Sequence, residues 1–212
     1  MHDEAISAEQ RSALSTLKPA ADHGFYLAGG TGLCLRLAHR RSVDLDLFRE
    51  QDFEPNELLR MLEAAGVNAS NVRSKPSTLW FDVGGVRTSL MRFPYPSLSP
   101  PESGLAVPVA SLLDIAAMKV EAIASRGARK DFYDLYFICK DELRLRDALN
   151  AFERRFQSAR PDLAHRLKAL TFFDDAEREP EPVLLRPATW SEVRKYFENE
   201  VRELWNDSSQ SG

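Results

Sequence analysis

A strict alternation of apolar and polar residues runs from residue 43 to residue 47. Val43, Leu45 and Leu47 alternate with Asp44 and Asp46. Successive side chains of a strand point to opposite faces, so the pattern predicts apolar side chains in a core and both carboxylates on the other face. At an effective dielectric near 20, two such charges repel by about 4 kcal/mol at 4 Å and about half that at 7 Å. This repulsion favours a bound cation.

Upstream, an apolar stretch ends in two glycines and a threonine. Residues 25–28 predict a buried strand, and Gly29, Gly30 and Thr31 then begin a helix. Glycine lets the backbone approach a ligand closely, and the free amides and positive dipole of a helix start favour an anion. Together with the Thr31 hydroxyl, this corner predicts a phosphate cradle. The alternative interpretations are a tight turn for the glycines and a solvated edge strand for the acids.

Other apolar patterns predict two blocks of secondary structure. In the first block we expect helices over 4–22 and 54–66 and strands over 67–74, 78–83 and 86–93. Ile6, Leu14 and Leu17 are the predicted core positions of the first helix. Gly84 and Gly85 have the form of a two-residue hairpin turn, which would place Asp82 opposite Arg87 as an ion pair.

Residues 94–108 hold five of the twelve prolines and predict a connector to a helical block. Helices are expected over 111–126, from about residue 128, over 142–159 and 162–170, and over 190–205. The predicted domains are therefore 1–107, an α/β core, and 108–206, a helical region packed on it, with 207–212 as a flexible tail.

The helix over 111–126 carries cations in an unusual place. Asp114, Glu121 and Ser125 fall on one side and are predicted to face water, whereas Lys119 and Arg126 fall among apolar residues. A lysine directed inward needs a partner or a bound anion. One interpretation is that both cations face a metal site and its triphosphate. The other is that they snorkel to water or pair structurally with the two acids of the D-x-D segment.

Composition and charge narrow the possible classes of protein. With 212 residues, 43% hydrophobic and 28% charged, the chain is predicted to be globular. A net charge of −4 excludes nucleic-acid binding through overall charge and requires a local basic patch. The two cysteines lie in apolar helical patterns, which is typical of buried, reduced thiols. The chain starts with acidic residues, unlike a signal peptide, and has no apolar run long enough to span a bilayer. These features predict a cytoplasmic protein with no membrane partner. The candidate RNA-binding arginines are Arg36, Arg40, Arg41, Arg154, Arg155, Arg160 and Arg166.

Two motifs resemble one known family. The Gly-Gly-Thr corner followed by Arg41-Ser42-x-Asp44-x-Asp46 looks like the nucleotidyltransferase signature, and more narrowly like that of the AbiEii/AbiGii toxin nucleotidyltransferases. A lysine followed by R-G-x-x-K-D-x-x-D-L, here Lys119 and residues 126–135, is similar to the third motif of that family. The resemblance covers roughly residues 25–200. It implies an α+β fold with a nucleotidyltransferase-like mixed β-sheet core with helices, followed by a helical bundle.

The resemblance also implies an activity and partners. The expected reaction is Mg²⁺-dependent transfer of a nucleotidyl group from a nucleoside triphosphate to an acceptor, with tRNA or other RNA as candidates. The protein would be the toxin of a bacterial toxin–antitoxin or phage-defence pair, with a separately encoded antitoxin. The implied metal ligands are Asp44 and Asp46, and the implied catalytic residues are these two with Lys119, Lys130, Asp131 and Asp134. The implied nucleotide-binding residues are Gly29, Gly30, Thr31, Arg41, Ser42, Lys119 and Arg126.

One departure from the pattern leaves alternatives open. Many nucleotidyltransferases carry a third carboxylate on a strand beside the D-x-D strand, and this chain has Ser89 there, with Asp82 as the fallback candidate. One alternative is therefore a nucleotide-binding module that is catalytically weak or inactive. Another is a structural or interaction protein whose acids and bases, including those of the second motif, form ion pairs.

Overall fold

Five strands form one mixed sheet in the order β1-β2-β5-β4-β3. The structure is a computed structural model that describes residues 1–103, 105–157 and 163–210. The chain divides into two units, Met1–Ser111 and Leu112–Gly212. The strands lie in the first unit and are β1 (Tyr26–Leu27), β2 (Leu45–Arg49), β3 (Ala69–Lys75), β4 (Thr78–Val83) and β5 (Val86–Arg92). The predicted combination of a mixed sheet with helices is confirmed.

The helices of the first unit cover one side of the sheet with apolar side chains. Ser7 and Gln10 form a capping box that begins the first of them. The three predicted core positions between residues 6 and 17 are at most 3% exposed, as expected. The helices are α1 (Ala8–Thr16), α2 (Lys18–Asp22), α3 (Gly29–Leu37) and α4 (Pro55–Ala64), preceded by a 3-10 turn over Asp3–Ala5.

Strand pairing places the D-x-D strand, β2, between β1 and β5, so it is not an edge strand. β2 runs parallel to β5 and antiparallel to β1, and β4 and β5 form the predicted hairpin, in which Gly84 and Gly85 both have positive φ. Leu45 and Leu47 are fully buried, as predicted. The same prediction is wrong for Val43, which is 66% exposed. The ladder with β5 begins only at Leu45, so residue 43 still belongs to the preceding loop.

The proline-rich segment belongs to the first unit rather than linking two units loosely. Leu27 N donates to Pro108 O at 2.8 Å, and Ala110 N donates to Leu27 O at 2.8 Å. Val109 is thereby fully buried beside β1. Because these hydrogen bonds fix residues 108–110 to the sheet, the boundary between the units lies after Ser111 rather than after residue 107.

The second unit is helical and has an aromatic core. Phe132 packs with Phe173, Trp190 and Phe197, with ring centroids 5.3 to 5.8 Å apart. The helices are α5 (Leu112–Arg126), α6 (Arg129–Asp141), α7 (Leu145–Arg155), α8 (Leu163–Ala169), α9 (Asp174–Glu177) and α10 (Trp190–Gln210). The last helix therefore enters the segment predicted to be a flexible tail.

Among the described residues, none of the helices contains an apolar stretch of the length that a bilayer span needs. Arg160, one of the predicted basic surface residues, lies outside the described residues, as does the expected helix start at Asp162.

Candidate active site

The two aspartates of the D-x-D segment share one face of the sheet. Ser89 is the partner of Asp46 across β2 and β5, and its hydroxyl donates to Asp46 Oδ1. Asp44 Oδ1 lies 2.8 Å from Nη2 of Arg87. Arg87 and Ser89 are two residues apart on one strand and so point to the same face. Asp44 contacts Arg87 and Asp46 contacts Ser89, so both carboxylates lie on that face, as the alternating pattern predicted.

The glycine corner touches these acids. Gly29 begins α3 with a φ of 61°, a conformation that L side chains rarely adopt. A Cβ at Gly29 would lie 3.2 Å from Asp46 Oδ2. A Cβ at Gly30 would lie 2.7 Å from Arg40 Nη2 and 2.8 Å from the Ser42 hydroxyl. The helix start, with its free amides and positive dipole, is thus packed directly against an acid and a guanidinium.

Thr31 and the loop before β2 hold the corner and the acids together. Thr31 is 1% exposed and its hydroxyl donates to Asp44 O at 2.5 Å. Gln10 Nε2 donates to Ser42 O at 2.9 Å, and Arg40 Nη1 donates to the carbonyl of the exposed Arg41 at 2.9 Å. The structure therefore gives the Thr31 hydroxyl a positioning contact, and its contact with a phosphate stays a prediction.

The donor set fits a magnesium ion that is shared with a substrate. Mg²⁺ commonly takes one or two protein carboxylates and completes its shell with water and phosphate oxygens. Asp44 Oδ1 is enclosed and accepts no hydrogen bond of normal geometry among the described residues, although a guanidinium lies beside it. Within those residues, no group of three or more His, Cys, Asp or Glu side chains could hold a metal ion. Asp44 and Asp46 therefore fit a partial site rather than one closed by the protein.

A buried ion cluster joins α5 and α6 in the second unit. Lys119 Nζ lies 2.8 Å from Asp131 Oδ1 and 2.6 Å from Asp134 Oδ2, and both aspartates are fully buried. Arg126 donates to both oxygens of Asp131, at 2.7 and 3.0 Å. Burial by itself would raise the pKa of Asp131, but the charges of Lys119 and Arg126 outweigh burial and hold it below the ordinary value.

The cluster shows which contacts the residues of the second motif make. Asp131 and Asp134 share one face of α6, as expected, because both contact the same ammonium group. The predicted structural pairing of Lys119 is found, but with these two aspartates instead of Asp44 and Asp46. Lys130 is exposed, although it lies beside Asp131 in the chain and one helical turn before Asp134.

Two predictions of exposure are wrong. Asp114 was expected to face water but is 1% exposed, since Arg155 of α7 packs against α5 and lies 2.8 Å from its carboxylate. Two residues of the predicted basic surface, Arg155 and Arg166, are buried instead. Arg166 is 4% exposed and is paired with Glu153. Helical periodicity places such side chains on one face of a helix but does not show which partner on another helix covers them.

Sequence reasoning missed the contact between Arg87 and Asp44. The hairpin pattern correctly placed Arg87 opposite Asp82. It could not show that β5 also pairs with β2, because nothing in a hairpin specifies its next neighbour. In the structure, Asp82 accepts a hydrogen bond from Asn71 at 2.6 Å, while the Arg87 guanidinium reaches the D-x-D segment.

Comparison with known proteins gives consistent matches. A family model described as nucleotidyl transferase AbiEii toxin, type IV TA system, matches residues 12–207. An uncharacterized protein of Aquifex aeolicus (strain VF5) is 34% identical over 208 residues, which cover 93% of this chain and 97% of that protein.

Solved structures share the fold at low sequence identity. MenT4, a nucleotidyltransferase toxin of Mycobacterium tuberculosis H37Rv, has a TM-score of 0.58 at 18% identity, covering 93% of this chain and 84% of that one. JHP933 from Helicobacter pylori has a TM-score of 0.52 at 18% identity, covering 97% of both chains.

Proposed function

The chain belongs to the family of AbiEii nucleotidyl transferase toxins, and from that premise we propose that it transfers a nucleotidyl group from a nucleoside triphosphate to an acceptor, with Mg²⁺ required. The observation that carries the proposal is the contact between the acid pair and the glycine corner. A Cβ at Gly29 would lie 3.2 Å from Asp46 Oδ2, so metal and phosphates can share one small volume.

Each candidate site residue of the first unit has a separate role in this proposal. Asp44 and Asp46 would hold Mg²⁺, which supplies neutralisation of phosphate charge and alignment of the attacking oxygen. The amides of Gly29 and Gly30 bind phosphate oxygens at the start of α3, where a Cβ on Gly30 would collide with Arg40 and Ser42. Ser89 fixes the carboxylate plane of Asp46 through its hydrogen bond. Arg41 and Ser42, in the loop before β2, bind further phosphate oxygens.

The ion cluster of the second unit holds its charged side chains in fixed positions. Lys119 is held between two carboxylates, which keep its ammonium in one position. Asp131 and Asp134 brace α5 against α6, and Arg126 binds the first of them from the more exposed side. We propose that Lys119 and Arg126 also contact nucleotide phosphates and that Lys130 completes this group.

The proposed acceptor is RNA, with tRNA among the candidates, and the proposed protein partner is a cognate antitoxin. The family's description as a toxin of a type IV toxin–antitoxin system supports such a partner.

A transfer assay tests the proposal. The protein is incubated with each α-³²P-labelled nucleoside triphosphate, Mg²⁺ and total bacterial RNA, and labelled RNA is resolved by electrophoresis. We expect labelling that falls by about 100-fold or more in Asp46→Asn, because the metal loses a ligand. Asp22→Asn removes an exposed carboxylate of the same unit and should keep full labelling. Equal labelling by wild type and Asp46→Asn would contradict the mechanism.

One observation favours a second candidate, a nucleotide-binding module with weak or no catalysis. Ser89 lies beside Asp46 on the neighbouring strand, where a third carboxylate would activate the attacking hydroxyl in related enzymes. Titration calorimetry separates the two candidates. Mg²⁺-dependent binding of a nucleoside triphosphate without transfer to any RNA would favour the module.

A further inference from the structure

We infer that the sheet face carrying the two aspartates also binds the acceptor, as a single-stranded nucleic acid laid across β4 and β3. The basic sheet face is defined here as Arg73, Lys75, Trp80 and Arg87. This inference rests on the proposed function, because it names the acceptor and its path to the acids.

Strand register places the basic sheet face in line with Asp46. Ser89 is the partner of Asp46, Trp80 of Ser89, and Arg73 of Trp80, which makes one row across β2, β5, β4 and β3. Residues directly opposite each other in a ladder share a face. With strands about 4.8 Å apart, Trp80 lies roughly 10 Å and Arg73 roughly 14 Å from Asp46, measured between Cα atoms.

The neighbouring rows add two more cations to this face. Lys75 is the partner of Thr78, and its ammonium lies 5.2 Å from the ring centroid of Trp80. Arg87 lies in the row of Asp44 and Asp82, and its side chain is 71% exposed. Arg73 and Lys75 are both exposed, and Trp80 is half-buried.

The charge on this face changes from positive at β3 to negative at β2. This order suits an acceptor whose phosphates bind cations and whose hydroxyl must reach the acids. β3 carries two cations and no acid, whereas the acids of this face are Asp82 on β4 and Asp44 and Asp46 at β2. Phosphates of a bound strand would therefore lie over β3, and its reacting hydroxyl would reach the acids and their metal. The net charge of the chain is −4, so attraction of a polyanion depends on a local patch of this kind.

The tryptophan selects unpaired nucleotides. A base stacked on an aromatic ring is bound largely without regard to its sequence, and adjacent cations hold its phosphates. The ammonium of Lys75 lies over the ring of Trp80 in a cation–π contact, and on binding it would move to a phosphate while a base takes its place on the ring. A paired base would be unable to stack on the ring without leaving its helix.

Fluorescence anisotropy tests this inference without any transfer chemistry. A labelled 12-nucleotide single-stranded RNA is titrated with the full chain in EDTA and without nucleoside triphosphate. We expect Arg73→Gln/Lys75→Gln to weaken binding by about tenfold and to lower the slope of log K against log salt by about 1.4, the value for two phosphate contacts. Trp80→Leu should weaken binding by about fivefold or more, and Trp80→Phe by less.

A matched double variant controls for the loss of charge. Lys18→Gln/Arg60→Gln removes two exposed cations from α2 and α4 of the same unit and should leave RNA affinity within twofold of wild type. Equal weakening by both double variants, or no RNA binding by the wild-type chain, would overturn the inference. Single-stranded DNA and duplex RNA of the same sequence form further arms. Duplex RNA that binds as tightly as the single strand would also overturn it.

The same samples separate this inference from the proposed function. Asp46→Asn is expected to bind RNA like wild type, since the acid is not part of the basic sheet face. Selective loss of binding in the Arg73/Lys75 variant, combined with no transfer by wild type, would refute the proposed function and leave the binding face standing. Transfer that depends on Asp46 but is unchanged in Arg73→Gln/Lys75→Gln and Trp80→Leu would refute only the binding face.

Discussion

At several positions in this protein, the neighbouring side chains determine which residue type is tolerated. Lys119 is 4% exposed, and an ammonium group at such depth is tolerated because Asp131 and Asp134 both contact it. At the other motif, Gly30 has no side chain because Arg40 and Ser42 occupy that space. These two positions provide tests that need no knowledge of the substrate.

Replacing one acid of the buried cluster should be costly. Asp131→Asn leaves the cations of α5 with one fewer carboxylate, and breaking a buried pair from one side typically costs about 3 kcal/mol of unfolding free energy. Glu198→Gln removes an exposed carboxylate that pairs with Arg194 on α10, and should change that free energy by about 0.5 kcal/mol or less. Urea denaturation measures both, and similar small losses would show that the cluster is not a brace.

The same variant gives a pH test with a defined sign. The pKa of Asp131 is lowered in the folded state, so its contribution to stability is complete above the unfolded value of about 4 and is lost as the pH falls further. We therefore expect the stability difference between wild type and Asp131→Asn to narrow below about pH 4. A difference that stays constant from pH 7 to pH 2 would contradict this account of the carboxylate.

A Cβ at Gly30 should cost stability through its two neighbours. Gly30→Ala introduces contacts of 2.7 and 2.8 Å, and overpacking of this kind costs about 1–3 kcal/mol. In a Ser42→Ala background one of those contacts is gone, so we expect a smaller cost there. Denaturation of the four proteins of this double-mutant cycle checks the coupling. An equal cost in both backgrounds would mean that the corner relaxes and that its close packing is unimportant.

At the scale of elements, pairing of β2 with β5 determines the chemistry of the site. The sequence predicts each of these strands, the hairpin and the helix start that carries the glycines, because local periodicity and turn residues specify them. It does not predict that β5 lies parallel to β2, since that contact joins residues more than forty positions apart. The sequence therefore does not identify Arg87 as the partner of Asp44. It likewise does not show that Asp114 is buried, because its partner Arg155 lies on another helix.

A third acid beside Asp46 would test whether this pairing forms a metal site. Ser89→Asp puts a carboxylate opposite Asp46, and without metal this should lower the melting temperature, because like charges directly opposite are destabilising. Adding Mg²⁺ should then raise the melting temperature more than it does for wild type. Ser89→Asn has the same shape without the charge and should show no added response. If both variants respond alike to Mg²⁺, the ion does not bind at this strand pair.

At the scale of the whole molecule, the chain combines an α/β unit that carries the acid pair and glycine corner with a helical unit that carries a buried ion cluster. The family and the fold were predictable because two motifs and their order are encoded locally. The units divide after Ser111, whereas the proline content favours a linker that ends near residue 107, because the hydrogen bonds of residues 108–110 to β1 are not visible in composition.

The position of the transferred label tests the central claim most directly. Parallel reactions with RNA and Mg²⁺ contain the same nucleoside triphosphate labelled with ³²P at either the α or the γ phosphorus. The account predicts α-label in RNA and γ-label in released pyrophosphate, both dependent on Asp46. Transfer of the γ-label to RNA, or α-labelling that persists in Asp46→Asn, would contradict it.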